Sequence, residues 1–399
     1  GVVMRTTKNF TILAGSIPEK IMPQQPFSPL TLQFCQDFAH QLQQQPIAKE
    51  EPDWAAFSFW LRPRKLESYR KLLTFPEKRL GRGLTFHIAP ANMPTMFLYS
   101  LFISLLAGNA NIVRLSPRLL PKVQPVCELL NTILNTQTYR SIKNMNVILT
   151  YGHDRKITDC FSKQCNSRII WGGDKTILEI RKSPLSPMAI DIPFADRYSL
   201  AIVDSEYVAN CSEDELKNAV HHFYLDTYEA DQNACSSPRL LFWLEKKDGF
   251  FAIAQDRWWR AVTIEIQKYD LAAIKVSRKY AEAWTFAMHT PEISGFSYAS
   301  NRLYVYTLDS LPKDLTQLAG SFGQFFQYPI KNLKDIIPYM TAKVQTITTL
   351  HVDIQAFRAQ LIEAGITGVD RVVPFGQAMD MDIIWDGRNL LDALTRIIR

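Results

Sequence analysis

Several signatures that would make a function easy to read are missing from this sequence. No apolar run reaches the roughly 18 uncharged residues that a membrane-spanning helix needs. The longest, Met96 to Ala107, is broken by Ser100 and Ser104. The first residues, Gly1-Val2-Val3-Met4-Arg5, form no hydrophobic region followed by a cleavage site, and Gly1 ahead of Met4 reads as an added residue. Six cysteines are scattered over 399 residues. That spacing excludes a disulfide framework and predicts reduced thiols in a cytoplasmic protein. Cys160 and Cys165 have no matching second pair, and His221 and His222 are adjacent on a helix, about 100° apart, with no spaced third ligand. No metal site is expected. The net charge of +6 is not gathered into basic blocks, so nothing beyond the charge itself favours nucleic acid. The sequence also has no repeat, no Gly-x-Gly-x-x-Gly after a strand, no phosphate-binding Gly-x4-Gly-Lys-Ser/Thr and no Gly-x-Ser-x-Gly elbow.

What is present is the composition of a large globular core, 47% hydrophobic and 12% aromatic. After a Gln- and Pro-rich stretch, with one helix expected near Leu30 to Gln44, strands and helices alternate from Gly83 onward. Leu84–Ile88 reads as a strand and Thr95–Ala107 as a helix started by Pro94 and closed by Gly108. Asn111–Leu115 reads as the next strand. Helix Lys122–Leu134, strand Asn146–Thr150, helix Arg155–Phe161, strand Arg168–Trp171 and helix Thr176–Lys182 follow. Successive βα units of this kind predict an open, doubly wound α/β domain. A second α/β region begins with strand Ser199–Val203. Ser212 and Glu215 then form a capping-box pattern, opening a helix that runs to about Tyr228. Leu240–Leu244 reads as a buried strand, and Asn301–Leu308 alternates like an exposed or interface strand.

Two loops stand out. Ala91-Asn92-Met93-Pro94 joins a strand to its helix, and Gln232-Asn233-Ala234-Cys235 joins a helix to a buried strand. A cysteine in a polar loop can be reached by a reactant, whereas one in a core strand cannot. On residue type alone Cys235 is still more often structural, and Asn92 more often a turn or cap residue.

Taken together, the loops resemble a known family. Asn92-Met93-Pro94, Leu106-Ala107-Gly108-Asn109 with Arg114 beyond it, and Asn233-Ala234-Cys235 resemble the corresponding segments of aldehyde dehydrogenases. Ala234-Cys235-Ser236-Ser237-Pro238, Lys343-Val344-Gln345-Thr346, Arg371-Val372-Val373-Pro374 and Trp385-Asp386-Gly387 are similar to the acyl-CoA reductases of bacterial luminescence, the LuxC type. The resemblance runs from about Gly81 to the C-terminus.

It implies an aldehyde-dehydrogenase-like α/β fold: a doubly wound cofactor domain, an α/β catalytic domain and a small oligomerisation strand region. The expected division is 1–78 as an N-terminal region, 79–205 for the nucleotide, 206–375 for catalysis and 376–399 as a C-terminal segment. The implied reaction is reduction of a fatty acyl thioester, on CoA or a carrier, to the aldehyde. Cys235 would be the nucleophile, and Asn92 with the Cys235 backbone N–H would hold the oxyanion. The family's water-activating Glu aligns near Phe194, with Asp196 as a substitute, and its loss disfavours oxidation to the free acid. Arg114 stands where a Lys is usual, and with Ser116, Arg118 and Lys175 it implies NADPH, because an arginine fork suits a 2′-phosphate. Gly172-Gly173 before a helix would face the pyrophosphate; the residues alone also allow an ordinary turn. Met93, Phe97 and Tyr228, with Phe223 and Tyr224, are candidates for the acyl channel, although aromatics at helical spacing are more often core. The implied partners are an acyl-protein synthetase or transferase and further copies of the chain. An aldehyde-oxidising dehydrogenase and a non-catalytic subunit of a reductase complex are the alternatives.

Overall fold

The computed structural model describes residues 9–399, so the reading of Gly1 to Arg5 lies outside it. The chain divides into two compact units. One holds the residues up to Ala195 together with Met381–Arg399, and the other holds Asp196–Asp380.

The first unit is built on β1 (Thr11–Gly15), β3 (Leu84–Ile88), β4 (Ala110–Leu115), β5 (Asn146–Thr150), β6 (Ser167–Trp171) and β7 (Ile190–Phe194), while β2 (Arg79–Gly81) lies outside that sheet. The sheet order is β1-β5-β4-β3-β6-β7, parallel throughout except for the antiparallel edge strand β1. Every residue of β3, β5 and β6 is buried, as strands covered on both faces must be. From β3 the chain steps one way through β4 and β5, then returns to lay β6 and β7 on the other side. The order therefore reverses between β3 and β6, where α/β sheets of this type open a crevice at their carboxyl ends.

The helix after β3 runs Met96–Ala107 and is apolar almost all round. It starts two residues after Pro94, which lies in the preceding turn. Gly108 ends it at φ +100°, and a Cβ there would stand 2.0 Å from the Gln24 carbonyl oxygen, so only glycine fits. Residues before 79 do not stand apart. Helices Pro29–Gln43 and Pro52–Trp60 bring Phe34, Phe38 and Phe57 onto Phe102, with ring centroids 5.2–5.8 Å apart. The C-terminal segment also belongs here. Trp60 Nε1 donates to the Met381 carbonyl at 3.1 Å, and Thr395–Ile397 pairs antiparallel with β2.

The second unit holds β8 (Tyr198–Asp204), β9 (Pro238–Leu244), β10 (Ile293–Ser300), β11 (Leu303–Leu308), β12 (Gln324–Ile330), β13 (Val344–Leu350) and β14 (Arg371–Pro374). Their order is β10-β11-β12-β9-β8-β13-β14, parallel except at β10–β11. β8 is bonded between β9 and β13, so the units part at Ala195/Asp196 and not at the expected 205/206. The expected exposed or interface strand at Asn301–Leu308 is corrected: Leu303–Leu308 is an interior strand and almost wholly buried. Its alternation comes from tyrosines that pack on one sheet face while aliphatics pack on the other. The exposed edge is β10.

Candidate active site

In the second unit the expected nucleophile, Cys235, lies on the loop before β9. Helix Glu213–Asp226 opens on the expected capping box, with Ser212 Oγ accepting from Glu215 N and Glu215 Oε1 accepting from Ser212 N, both at 3.1 Å. Beyond its end, Asp231 and Gln232 take φ values of +55° and +59°. Two consecutive non-glycine residues in that region cost about 1 kcal/mol or more each unless they are held. Both are held. The fully buried Gln232 amide uses all its valences: Oε1 accepts from the N–H groups of Gly323 and Gln324, each at 3.1 Å, and Nε2 donates to the carbonyls of Pro238 (3.2 Å) and Gln324 (2.9 Å). The Asp231 carboxylate accepts from Tyr269 Oη at 2.5 Å and Lys275 Nζ at 3.0 Å. Arg239 Nη2 donates to the Gln232 carbonyl at 3.0 Å.

Three residues on, the Cys235 carbonyl accepts from the buried Ser199 Oγ at 2.6 Å, and that oxygen accepts from Thr346 N at 3.2 Å. Cys235 itself is half-buried. The loop thus lies where β8, β9 and β13 begin, at their amino ends and not at the carboxyl ends usual for α/β ligand sites. Its backbone is fixed by strand residues on either side.

A second segment closes on the same loop. The buried Asp226 carboxylate accepts from Gly376 N (2.8 Å) and Ala378 N (3.1 Å). Burial pushes its pKa up to about 7, and those two N–H groups oppose the rise. Arg371 donates to the carbonyls of Gln377 (2.9 Å), Ala378 (3.1 Å) and Asp380 (3.1 Å). So held, Met379 brings its sulfur to 3.7 Å from Ser236 Oγ and 3.9 Å from Ser237 Oγ. Sequence reasoning singled out Arg371 only as part of a motif and missed Gln232, Ser199, Asp226 and Met379 as supports. Their partners lie up to about 150 residues away, and no local pattern marks them.

The expected channel residues fare unevenly. Tyr228 is buried, with its hydroxyl donating to the Arg302 carbonyl at 2.7 Å and its ring against Tyr224 and Tyr269. Phe223 sits among Trp258, Trp259, Phe325 and Phe375. Phe97 is wholly inside the first unit's core. These three are packing residues, because each aromatic face is already covered. Tyr224 and Met93 are half-buried, and Asn92 is exposed in the turn after β3.

Around the crevice of the first unit, Arg114 ends β4 half-buried. Its Nη2 donates to the Tyr151 carbonyl at 2.8 Å and its guanidinium lies 5.1 Å from the Tyr151 ring centre. Its Nε is buried with no hydrogen-bond partner. Ser116 is buried and accepts from Arg118 N at 3.4 Å. Gly172 and Gly173 follow β6 and precede the short helix Asp174–Ile180, in which Lys175 is exposed. Phe194 is buried in β7 and stacked on Trp171, 4.1 Å between centroids, while Asp196 is exposed. Among the described residues no group of His, Cys, Asp and Glu could hold a metal. His221 instead pairs with Glu265 at 3.0 Å. No described helix is long and apolar enough to cross a membrane.

The family model for acyl-CoA reductase (LuxC) matches residues 62–269, just over half of the chain and inclusive of the Cys235 loop. The chain belongs to the acyl-CoA reductase (LuxC) family. Membership makes it an oxidoreductase acting on an acyl group or an aldehyde. No curated protein matches the chain. Among solved structures it is similar to proline utilization A of Bradyrhizobium japonicum (14% identity, TM-score 0.62), covering 92% of this chain but only 42% of that one. It is also similar to Thermus thermophilus 1-pyrroline-5-carboxylate dehydrogenase (11%, 0.64, covering 93% and 81%) and to an NAD-dependent benzaldehyde dehydrogenase of Corynebacterium glutamicum (11%, 0.59, covering 92% and 84%). At such identities the likeness shows the aldehyde-dehydrogenase fold and nothing finer.

Proposed function

We propose that this acyl-CoA reductase family member reduces an acyl thioester to the aldehyde with NADPH, through an acyl-enzyme on Cys235. The observation that carries the reading is the contrast among the thiols. Burial pushes those of Cys127 and Cys165 up to about 12 and that of Cys35 higher still, which leaves them inert; Cys160 and Cys211 are half-buried, but burial raises both, Cys160 lies within helix Arg155–Gln164 and Cys211 ends a helix against Arg257. Cys235 is partly exposed, on a loop whose backbone is fixed by Ser199 and Gln232. A nucleophile needs that combination of access and fixed position.

The Cys235 thiolate attacks the thioester carbonyl. The bond to the departing thiol breaks, that thiol takes up a proton, and the acyl group stays on sulfur. Bound nicotinamide cofactor supplies the hydride that brings the acyl carbon to the aldehyde level. The hemithioacetal on Cys235 then collapses, releasing aldehyde and restoring the thiolate. Asn92 keeps the oxyanion role implied by the family resemblance, and Met93 remains the acyl-chain candidate.

The residues of the first unit fit the cofactor. The buried, unpaired Nε of Arg114 beside the crevice is the group that an incoming phosphate would satisfy. Arg118 and Lys175 add charge, Ser116 a hydroxyl, and Gly172-Gly173 an approach without side chains. Phe194 offers no proton acceptor, which supports transfer between thiols and reduction over hydrolysis to an acid. The substrate arrives on CoA or on a carrier charged by an acyl-protein synthetase or transferase.

The test follows NADPH absorbance with a series of acyl-CoAs. Consumption with aldehyde release by wild type, and neither by Cys235→Ala, is the expected result. Free acid formed from aldehyde would move the assignment to an oxidising dehydrogenase. No turnover with any thioester would leave a non-catalytic subunit.

A further inference from the structure

After β14 the chain turns through Phe375 to Asp380. Phe375 anchors the start of this turn. Its ring is buried against Phe223 and Trp258, at 5.8 and 5.9 Å, and its N–H donates to the Thr349 carbonyl at 3.0 Å. Gly376 follows at φ +94°, where a Cβ would stand 2.9 Å from the His222 ring, so the turn passes through a gap that only glycine fits. Two side chains of opposite charge then hold the backbone. The N–H groups of Gly376 and Ala378 donate to the Asp226 carboxylate, and the carbonyls of Gln377, Ala378 and Asp380 accept from Arg371. What this arrangement delivers is Met379. The Ser236 and Ser237 hydroxyls donate to its sulfur, and those two serines directly follow Cys235.

Asp226 is the member of the set that can change state near neutral pH. It is wholly buried at the end of helix Glu213–Asp226. As a carboxylate it accepts from both N–H groups, Ala378 at Oδ1 and Gly376 at Oδ2. A proton on either oxygen sets an O–H against an N–H and weakens one of the two bonds. Burial raises its proton affinity most. The two N–H groups lower it, Asp380 raises it and Arg371 lowers it, which leaves the pKa at about 7. His222, one turn earlier on the same helix, stands against Gly376. A neutral residue could cap one of these N–H groups at a smaller desolvation cost. The carboxylate caps both, and makes the closure depend on a proton.

We infer that Asp226 is a positioning residue for the thiol: as a carboxylate it clamps the Gly376–Ala378 turn so that Met379 seats on Ser236 and Ser237, and on taking up a proton it releases the turn and loosens the loop that carries Cys235. The inference rests on Cys235 being the nucleophile. Asp226 acts through Met379 and not on the reacting atoms.

Asp226→Asn tests it, because the amide has the shape of the protonated acid and only its oxygen accepts. Above pH 7 the variant's kcat with an acyl-CoA should be about tenfold below wild type, the scale of one hydrogen bond to a charged group, with KM within about twofold. Wild-type kcat should fall toward the variant's as pH drops through about 7, and the variant's own profile should lack that step. Two readouts need no turnover. The ratio of wild-type to variant rates of Cys235 alkylation by iodoacetamide should depart from one above pH 7 and approach one below it; taken as a ratio, the rise of thiolate with pH divides out. The other readout uses the unmodified protein. With carbon-13 methyl-labelled methionine, the Met379 signal, assigned by its loss in Met379→Leu, should titrate with a midpoint near pH 7, and in Asp226→Asn it should stay fixed. A wild-type Met379 signal that does not move through that range, or an alkylation ratio that does not change with pH, would overturn the inference. Both readouts as expected, with no acyl group ever found on Cys235, would uphold the clamp and remove the catalytic reading.

Discussion

His87 is wholly buried in β3 and has a partner at each ring nitrogen: Ser100 Oγ lies 2.7 Å from Nδ1 and Asn111 Oδ1 lies 2.8 Å from Nε2. The Asn111 amide nitrogen is committed to the Asn109 carbonyl and Asn146 Oδ1, so its oxygen must accept from Nε2–H. Nδ1 then accepts from Ser100, whose oxygen takes the Trp171 indole N–H at 3.0 Å. A neutral ring satisfies the set, and burial lowers the His87 pKa to about 4, against the raising effect of Asn111. As pH falls through the ordinary value near 6.5, the unfolded chain binds the proton first. Stability should therefore be constant above that value and fall by up to about 3 kcal/mol between pH 6.5 and 4. Urea unfolding across that window checks it, and His87→Gln should flatten this part of the profile. Arg114 makes the second prediction at this scale. Arg114→Ala should raise the KM for NADPH by about tenfold or more, the loss of one charge-assisted contact, while leaving that for NADH nearly unchanged. Equal losses with both cofactors would remove the 2′-phosphate from the account.

Elements explain why parts of the molecule were legible in sequence and others were not. Helix Glu213–Asp226 announces itself through Ser212 and Glu215, and the helix Met96–Ala107 through its apolar run and Gly108, because those signals lie within a few residues of what they govern. β1 pairs with β5 across more than 130 residues, and no local pattern marks β10 as a strand. Strand Leu303–Leu308 reads as exposed in sequence because alternating tyrosines look the same whether their face is covered by solvent or by helix Ala273–His289. The Cys235 loop was found by its motif, yet what holds it was not. Gln232 reaches residues about 90 positions away, and nothing in Asp231-Gln232 foretells a left-handed pair. Gln232→Leu leaves the N–H groups of Gly323 and Gln324 without their acceptor, which costs about 1–3 kcal/mol for each buried group left unpaired. The variant should melt earlier, and the alkylation rate of Cys235 by iodoacetamide should change along with kcat. A lower melting point with unaltered alkylation and kcat would show that Gln232 supports the fold without positioning the thiol.

Over the whole chain, the last nineteen residues return to the unit that contains the N-terminus. Leu390, Leu391 and Leu394 are buried there, Thr395–Ile397 pairs with β2, and Arg79 donates to the Asp392 carbonyl at 3.2 Å. Leu394→Ala should accordingly cost about 2–5 kcal/mol, the range for a large core side chain cut to alanine, a sizeable share of the 5–15 kcal/mol typical of a domain. Denaturant unfolding measures it. The central claim is that one thiol among six carries the acyl group, and it can be separated from the hydride step. The most direct measurement is intact-protein mass after mixing with acyl-CoA in the absence of any nicotinamide cofactor, followed by peptide mapping. The account predicts a single acyl adduct on wild type, located at Cys235, and none on Cys235→Ala. An adduct on another cysteine, or an equal adduct on the variant, would contradict it.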